Sequence, residues 1–360
     1  MDDKVTIDVN GRSFTNFDSV SIKRSMDALC GSYSISFSPN FSSTGFVPRE
    51  QDEIKIRIDS ETVLTGYVDK FDGGVDTNGT NYTISGRCKT CDIVDCSASC
   101  ETVQYKNAKV KWVVEQILKS RFSNIEVVNE SFLDGYTVQD FSINPGDSAF
   151  SVIDRLIRPF GFLLTTTPAG RLTFLTSQRT AVPGFLRLGE NIKTISCSYD
   201  MTDRFSDYFV TLEPKTDGSK YVNKLPPSKK ESVKDGDIKR FRPYDVIGEN
   251  SMTLAQVKRR AEWERAIRMA RSFDCNVTLK GWRNGAGTLW KINTIVTVDA
   301  PECDIKQEKL LIKEVSLNQS ESGTETTLSL GDVNSYLPEE SKQKKKNTDK
   351  FANIKRLENY

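Results

Sequence analysis

The thiols of Cys88, Cys91, Cys96 and Cys100 are the one constellation in this sequence that resembles a metal site. Their spacing, C-x2-C-x4-C-x3-C, supplies four thiolates, enough for a tetrahedral zinc or an iron–sulfur cluster. It lacks two well-separated C-x-x-C knuckles, and the competing reading is a set of unligated thiols in a reducing compartment. That second reading is the expectation, so no metal and no cofactor is assigned. Cys30, Cys197, Cys275 and Cys303 are dispersed and read as small buried hydrophobes.

Histidine is absent from the chain, which removes the commonest general base, the usual metal ligand and the near-neutral pH switch together. Acidic residues are plentiful, yet no spacing singles out a pair for cutting glycosidic bonds, and no enzyme is expected. A second charged feature lies between about 252 and 272, where Lys258, Arg259, Arg260, Arg265, Arg268 and Arg271 stand against Glu262 and Glu264. Such a helix could present a phosphate-binding face to DNA. Against this, Lys258 with Glu262, Arg260 with Glu264 and Glu264 with Arg268 are i,i+4 pairs, the pattern of a solvated or subunit-facing surface. Aromatic residues to stack on bases are missing apart from Trp263, through which the helix is expected to pack. A metal- or nucleic-acid-binding module using the Cys88 to Cys100 cluster or helix 252–272 is therefore the alternative function.

The elements that would position these residues are mostly strands. With 50 basic and 49 acidic residues the net charge is +1, so no global field draws the molecule to nucleic acid or membrane. No apolar run of about 18 residues occurs, and the acidic opening Met-Asp-Asp-Lys does not read as a leader. A soluble, unexported chain of two or three domains is expected, with no membrane partner. Val5 to Val9 alternates, Asn10-Gly11 marks a hairpin turn, and Phe14 to Ile22, Ser32 to Phe37, Ile54 to Ile58, Val63 to Phe71 and Tyr82 to Ser85 continue as strands. Turns are placed at Asp72-Gly73-Gly74 and Asn78-Gly79. Helical patterns follow at Lys109 to Leu118 and Asp147 to Ile157, with strands at Ile125 to Val128, Phe162 to Thr167 and Arg171 to Thr176. Strand pattern returns at Ile192 to Ser198 and Phe205 to Leu212. Pro214 to Asp237 is poor in hydrophobes and reads as an exposed loop, with strands resuming at Ile238. A helix capped by Ser251 or Thr253, with Met252, Ala255, Trp263, Ala266, Ile267 and Ala270 on one face, precedes strands at Glu308 to Leu317 and Thr324 to Leu330. From Pro338 the chain is polar and Lys-rich.

The fold class expected is mainly β with α+β. Two tube-like antiparallel barrel or sandwich domains, at 1–98 and 191–334, flank an α+β domain at 99–190, with a charged tail at 335–360. The stretch Lys280 to Pro301 is central to the second β domain. Gly281, Gly285 and Gly287 break the backbone, Trp282 and Trp290 supply apolar anchors, and a strand is expected from Leu289. Trp263, Gly281, Trp282, Arg283 and Trp290 are the structural motif.

Several short blocks recur in a recognisable order. They are Asn10-Gly11-Arg12, Ile84 to Thr90, Asp92 to Cys96, Asp203 to Tyr208, Arg240-Phe241-Arg242-Pro243, Arg260-Ala261-Glu262, Gly281-Trp282-Arg283, Leu310-Leu311-Ile312 and Gly323 to Leu328. In that order and spacing, up to about Asp332, the chain resembles the Mu-type bacteriophage baseplate hub family. The resemblance implies a homotrimer whose two tube-like domains per subunit form a pseudo-sixfold ring. Its partners would be the sixfold tail tube or tube-initiator protein, the threefold central spike protein, other baseplate proteins and the tape-measure protein, around a channel for transient DNA passage. It further implies a virion protein of a contractile tail, assembled in the bacterial cytoplasm. The sequence shows no internal repeat for the duplication, which rests on the resemblance alone.

Overall fold

The computed structural model describes residues 3–38, 46–76, 79–157, 160, 162–176, 181–212, 230–248, 254–334 and 336. Alternating apolar residues build the first unit. In β1 (Val5–Val9), β4 (Ser32–Phe37) and β5 (Glu53–Ile58), one face carries Val5, Ile7, Val9, Tyr33, Ile35, Phe37, Ile54, Ile56 and Ile58, all buried. Asn10 and Gly11 take left-handed conformations in succession and turn β1 into β2 (Arg12–Phe14). With β3 (Ser19–Ser25), β6 (Glu61–Asp76) and β7 (Gly79–Cys88) the order is β3-β4-β7-β6-β5-β1-β2, each pair antiparallel.

Two glycines of this unit are required by close approach. A Cβ on Gly66 would lie 1.9 Å from the Arg87 carbonyl oxygen, and one on Gly86 would lie 2.0 Å from that of Tyr67. The glycine in the block Ile84 to Thr90 thus lets β6 and β7 meet at the irregularity between Val68 and Lys70. The turn expected at Asp72-Gly73-Gly74 is instead the interior of β6, with Gly73 opposite Tyr82 and Gly74 opposite Asn81. The tilted Phe71 and Tyr82 rings meet beside Gly73 and cover its bare backbone, which keeps the strand extended. Asn78 lies outside the described residues.

The α+β unit contains α1 (Cys91–Asp95), β8 (Gln104–Lys109), α2 (Val110–Arg121), β9 (Val127–Val128), β10 (Thr137–Ser142), α3 (Ala149–Ile157), β11 (Phe162–Thr166) and β12 (Leu172–Thr176). Val110, Val113, Val114, Ile117 and Leu118 of α2 and Val152, Ile153, Leu156 and Ile157 of α3 are buried in a separate core with Phe162, Leu164, Leu172 and Phe174. The antiparallel pairing of β8 with β10 is not anticipated by the sequence pattern, because these strands carry Lys106, Asn107 and Asp140 among few apolar residues. The unit docks on the first through Thr166, whose hydroxyl donates to the Leu29 carbonyl at 2.9 Å and meets the Thr90 hydroxyl.

The last unit comprises β13 (Ala181–Arg187), β14 (Ile192–Tyr199), β18 (Phe273–Lys280), β19 (Ile295–Ala300), β20 (Ile305–Ser320) and β21 (Gly323–Asp332). Its path β14-β18-β21-β20 continues directly into the first unit, because β20 pairs antiparallel with β3 from Glu314 opposite Ser25 to Gln319 opposite Val20. One apolar cluster runs through both, joining Val20, Ile22 and Ile35 to Trp282, Leu317 and Leu328. The strand expected from Leu289 begins at Ile295; Asn293 is left-handed and the Thr294 hydroxyl bonds back to the Lys291 carbonyl, which holds 291–294 in a turn.

Between β14 and β18 the chain leaves the sheet to build a satellite unit. It contains β15 (Asp207–Leu212), β16 (Lys230–Lys234), β17 (Pro243–Gly248) and α4 (Leu254–Arg271), with β15 central in a three-stranded sheet. The exposed loop expected over 214–237 is corrected in part. Residues 213–229 lie outside the described residues, but 230–234 pair with β15, and Asp235 is buried. The strand expected at Ile238 begins at Pro243. Ser251, Met252, Thr253 and the Lys-rich tail from Pro338 lie outside the described residues, as do the side chains of Ala255 and Arg259.

Candidate functional site

Four residues of the expected structural motif, Gly281, Trp282, Arg283 and Trp290, sit on the seam between the first and last units. Gly281 takes a left-handed φ of 77°, donates to the Thr324 carbonyl at 2.9 Å and accepts from the Thr326 hydroxyl at 2.7 Å. That bend drives Trp282 inward, where it is fully buried and its Nε1–H is shared between the Asn318 and Glu325 carbonyls at 3.0 and 3.1 Å. Its neighbour Arg283 points the other way and crosses to the first unit. Its guanidinium meets Asp3 at 2.6 Å, Asp59 at 2.8 Å and Glu61 at 3.3 Å. The surrounding acids, Asp3 foremost, push the Arg283 pKa up; a backbone bond from Lys4, with smaller contributions including Arg283, holds the Asp59 carboxyl below its ordinary range.

The turn that follows is held by Asn284, whose side-chain oxygen accepts from Ala286 N at 2.9 Å and whose amide donates to the Thr288 hydroxyl at 2.8 Å. Gly287 is left-handed, at φ 75°, whereas Gly285 is not, so only two of the three expected glycine breaks use that freedom. Trp290 is buried and lines a cleft of about 460 Å³ with Val63, Thr165 and Leu175, where the three larger units meet. Glu61, Arg24 and Lys291 are the charged residues on its walls.

The Cys88 to Cys100 constellation does not assemble. Cys88 and Cys91 are buried, Cys96 is exposed and Cys100 half-buried, each a free thiol. Burial pushes Cys91 up to about 11 and raises Cys88 as well, as for thiols enclosed by apolar neighbours. Among the described residues no group of three or more Cys, Asp or Glu is placed to hold a metal ion. Sequence reasoning missed a different grouping. Cys197, Cys275 and Cys303, far apart in the chain, come together at one end of β14 and β18. The alternation Cys275-Asn276-Val277-Thr278-Leu279 is the signal that would have placed a strand there.

The basic helix is a packed ion-pair array. Glu264, 6% exposed, accepts from Arg260 at 2.8 Å and from Arg268 at 3.3 Å. Arg260 lies over the half-buried Trp263 ring at 4.8 Å, and Arg268 over Tyr244 at 4.1 Å. The helix packs through Val257 and Ala261 against Val210, not through Trp263 as expected. Trp263 instead shares a polar recess with Asp200, Asp203 and Arg271.

The block Asp203 to Tyr208 and the block around Arg242 lock together. Arg204 makes a buried two-pronged pair with Asp235 at 2.7 and 3.0 Å and reaches Asp237 at 2.8 Å. The Ser206 hydroxyl accepts from Arg242 N at 2.7 Å, and the Arg242 guanidinium donates to the Met201 and Thr202 carbonyls at 2.9 and 2.7 Å. Phe205 stacks on Tyr244 at 4.6 Å. These residues build the satellite unit.

Three family descriptions match in succession: "Mu phage baseplate assembly protein GpP-like, N-terminal" over 4–88, "Baseplate hub protein gp44-like, second domain" over 90–176, and "Mu phage baseplate assembly protein GpP, fourth domain" over 253–339. The baseplate hub protein gp44 of Escherichia phage Mu is 29% identical over 351 residues, 96% of this chain and 92% of that protein. The 43 kDa tail protein of prophage MuSo2 from Shewanella oneidensis is 26% identical and superposes with a TM-score of 0.77, covering 92% of this chain and 99% of its own. A tail protein from Neisseria meningitidis, 20% identical, superposes with a TM-score of 0.75 over 94% of this chain and 99% of its own. The matched segments include the glycine-dependent β6–β7 approach, the Trp282–Arg283 seam and α4, and the chain belongs to the Mu-type phage baseplate hub family.

Proposed function

We propose that three copies of this chain close into a ring at the tip of the tail, with one face on the sixfold tail tube and the other on the threefold central spike. The observation that carries this reading is the continuous sheet. The first and last units each contribute an antiparallel path, joined edge to edge through β3 and β20 over a common core. Two β units fixed in one rigid body let a threefold ring offer six similar positions to the tube while keeping the threefold axis of the spike. The ring encloses a channel through which DNA passes.

On this reading the chain divides into a first tube-like domain at 1–98, an α+β domain at 99–190, a second tube-like domain at 191–334 and a tail at 335–360, except that α1 packs in the α+β core and β13 pairs with β19 of the second tube-like domain. Its neighbours are the tube or tube-initiator protein, the spike, other baseplate proteins and the tape-measure protein, met in the host cytoplasm during assembly. The role is architectural, not enzymatic. Gly281, Trp282, Arg283 and Trp290 hold the seam and Trp263 supports the satellite. An electron-microscopy reconstruction of the assembled tail tip tests this: three copies are expected between tube and spike, and any other copy number, or a peripheral position, overturns it.

A further inference from the structure

Cys197 on β14 and Cys275 on β18 are directly opposed in the antiparallel ladder, with their sulfur atoms 2.8 Å apart. That is closer than ordinary sulfur contact and longer than a covalent S–S bond of about 2.05 Å. Opposed residues in such a ladder keep Cα atoms about 4.5–5.5 Å apart, within the span a disulfide bridges. Closure therefore needs side-chain rotation and no displacement of the strands. Cys303, at the end of the turn Pro301–Cys303, adjoins the Cys197 thiol as a third sulfur.

The place of this pair in the fold gives it a purpose. β14 ends at Tyr199 and β18 begins at Phe273, and the satellite unit is everything between. The two strands are its stem. Tyr199 packs at a tilt against Phe273 with ring centres 5.1 Å apart, and the last backbone bond across the stem runs from Asp200 N to the Ser272 carbonyl at 2.7 Å. The sulfur pair lies two residues inside that neck, so a bond there would close the base of the whole insertion.

We propose that Cys197 and Cys275 form a redox-dependent staple, reduced in the cytoplasm and oxidised when the particle meets a small-molecule disulfide. The Cys197 thiolate attacks one sulfur of the small disulfide and expels the first thiolate. Cys275 then attacks the Cys197 sulfur and expels the second. The protein loses two hydrogens, which protonate the two leaving thiolates, and the small disulfide is reduced to two thiols. Burial raises both thiols above the ordinary cysteine range, which keeps them protonated near neutrality and makes exchange faster as pH rises.

The full-length protein, reduced and freed of reductant, is incubated with oxidised glutathione at mildly alkaline pH, denatured, alkylated and mapped by mass spectrometry. Two of the eight thiols are expected to escape alkylation, in a peptide pair linked through Cys197 and Cys275. Cys303→Ser should retain the link and Cys275→Ser should lose it. Eight alkylated thiols, a stable glutathione adduct on wild-type Cys197, or a link through Cys303 or Cys91 in place of this pair would overturn the proposal.

Discussion

Across the seam of β3 and β20, Val20 and Ile22 join Val315 and Leu317 inside an apolar cluster that extends from Val5 to Leu330. In the satellite unit the apolar cluster is small, Val210, Val257 and Ala261 edged by Val233 and Val246, with Tyr208, Ile267 and Ala270 buried beside the charged groups. The remaining interior there is charge and aromatic face: Arg204 on Asp235, Glu264 between two arginines, Arg268 on Tyr244. The first region gains stability mainly from apolar area removed from water, whereas the second is built around polar pairs whose members are costly to remove singly. The sheet should therefore respond to damage as one body and the satellite locally.

The largest effect is expected at the irregularity where β6 and β7 approach most closely. Gly86→Ala places a carbon 2.0 Å from the Tyr67 carbonyl oxygen, with the Tyr33 hydroxyl at 2.7 Å, so the strands must part. We expect insoluble protein, whereas Gly74→Ala, with nothing within 4 Å, should express as a soluble fold. Comparable soluble yields of the two would show that the close approach does not depend on a bare backbone. Next, Trp282→Ala should cost about 3–5 kcal/mol in chemical denaturation, lowering the stability of the first and last units together. Separate transitions for β1 to β7 and β18 to β21 would show that the common core is not cooperative.

Arg204→Ala strands Asp235 in a site 5% exposed, at a cost of about 3–5 kcal/mol. Hydrogen exchange should accelerate over β15, β16 and α4 and stay unchanged in β20 and β21. Equal acceleration in both would erase the distinction between the regions. The smallest effect is at the surface clip. Arg283→Ala should lose no more than about 1 kcal/mol, because its ion pairs are partly in water. Since Asp59 titrates below its ordinary 3.8 when folded, its contribution is complete above that pH and disappears as pH falls through the lowered value. The gap between wild type and Arg283→Ala should narrow on acidification, and a gap that widens would contradict the pairing.

The same contrast governs how much of the fold is legible in the amino-acid order. Ile54, Ile56 and Ile58 announce a strand because period-two alternation is what one buried face demands, and Val113, Val114 and Ile117 announce a helix for the analogous reason. The satellite offers no such period. Lys230 to Lys234 looks like loop because its strand is exposed on alternate residues and only half-buried on the others, and its order comes from pairing with Asp207 to Thr211. Arg204 and Asp235 are 31 residues apart, and nothing local predicts that they meet. At the seam, Trp282 is legible as an anchor, but the acids that collect Arg283 lie at Asp3, Asp59 and Glu61, more than 220 residues away. Gly73 misled because a glycine that usually ends a strand is here covered by Phe71 and Tyr82.

A rigid two-unit subunit that closes into a threefold ring is the central claim. Sedimentation of the purified full-length chain, alone and with its spike, tests it most directly. The expected result is a species of three times the 40.5 kDa chain mass that binds the spike as a complex, and a 40.5 kDa monomer that ignores the spike would contradict the claim.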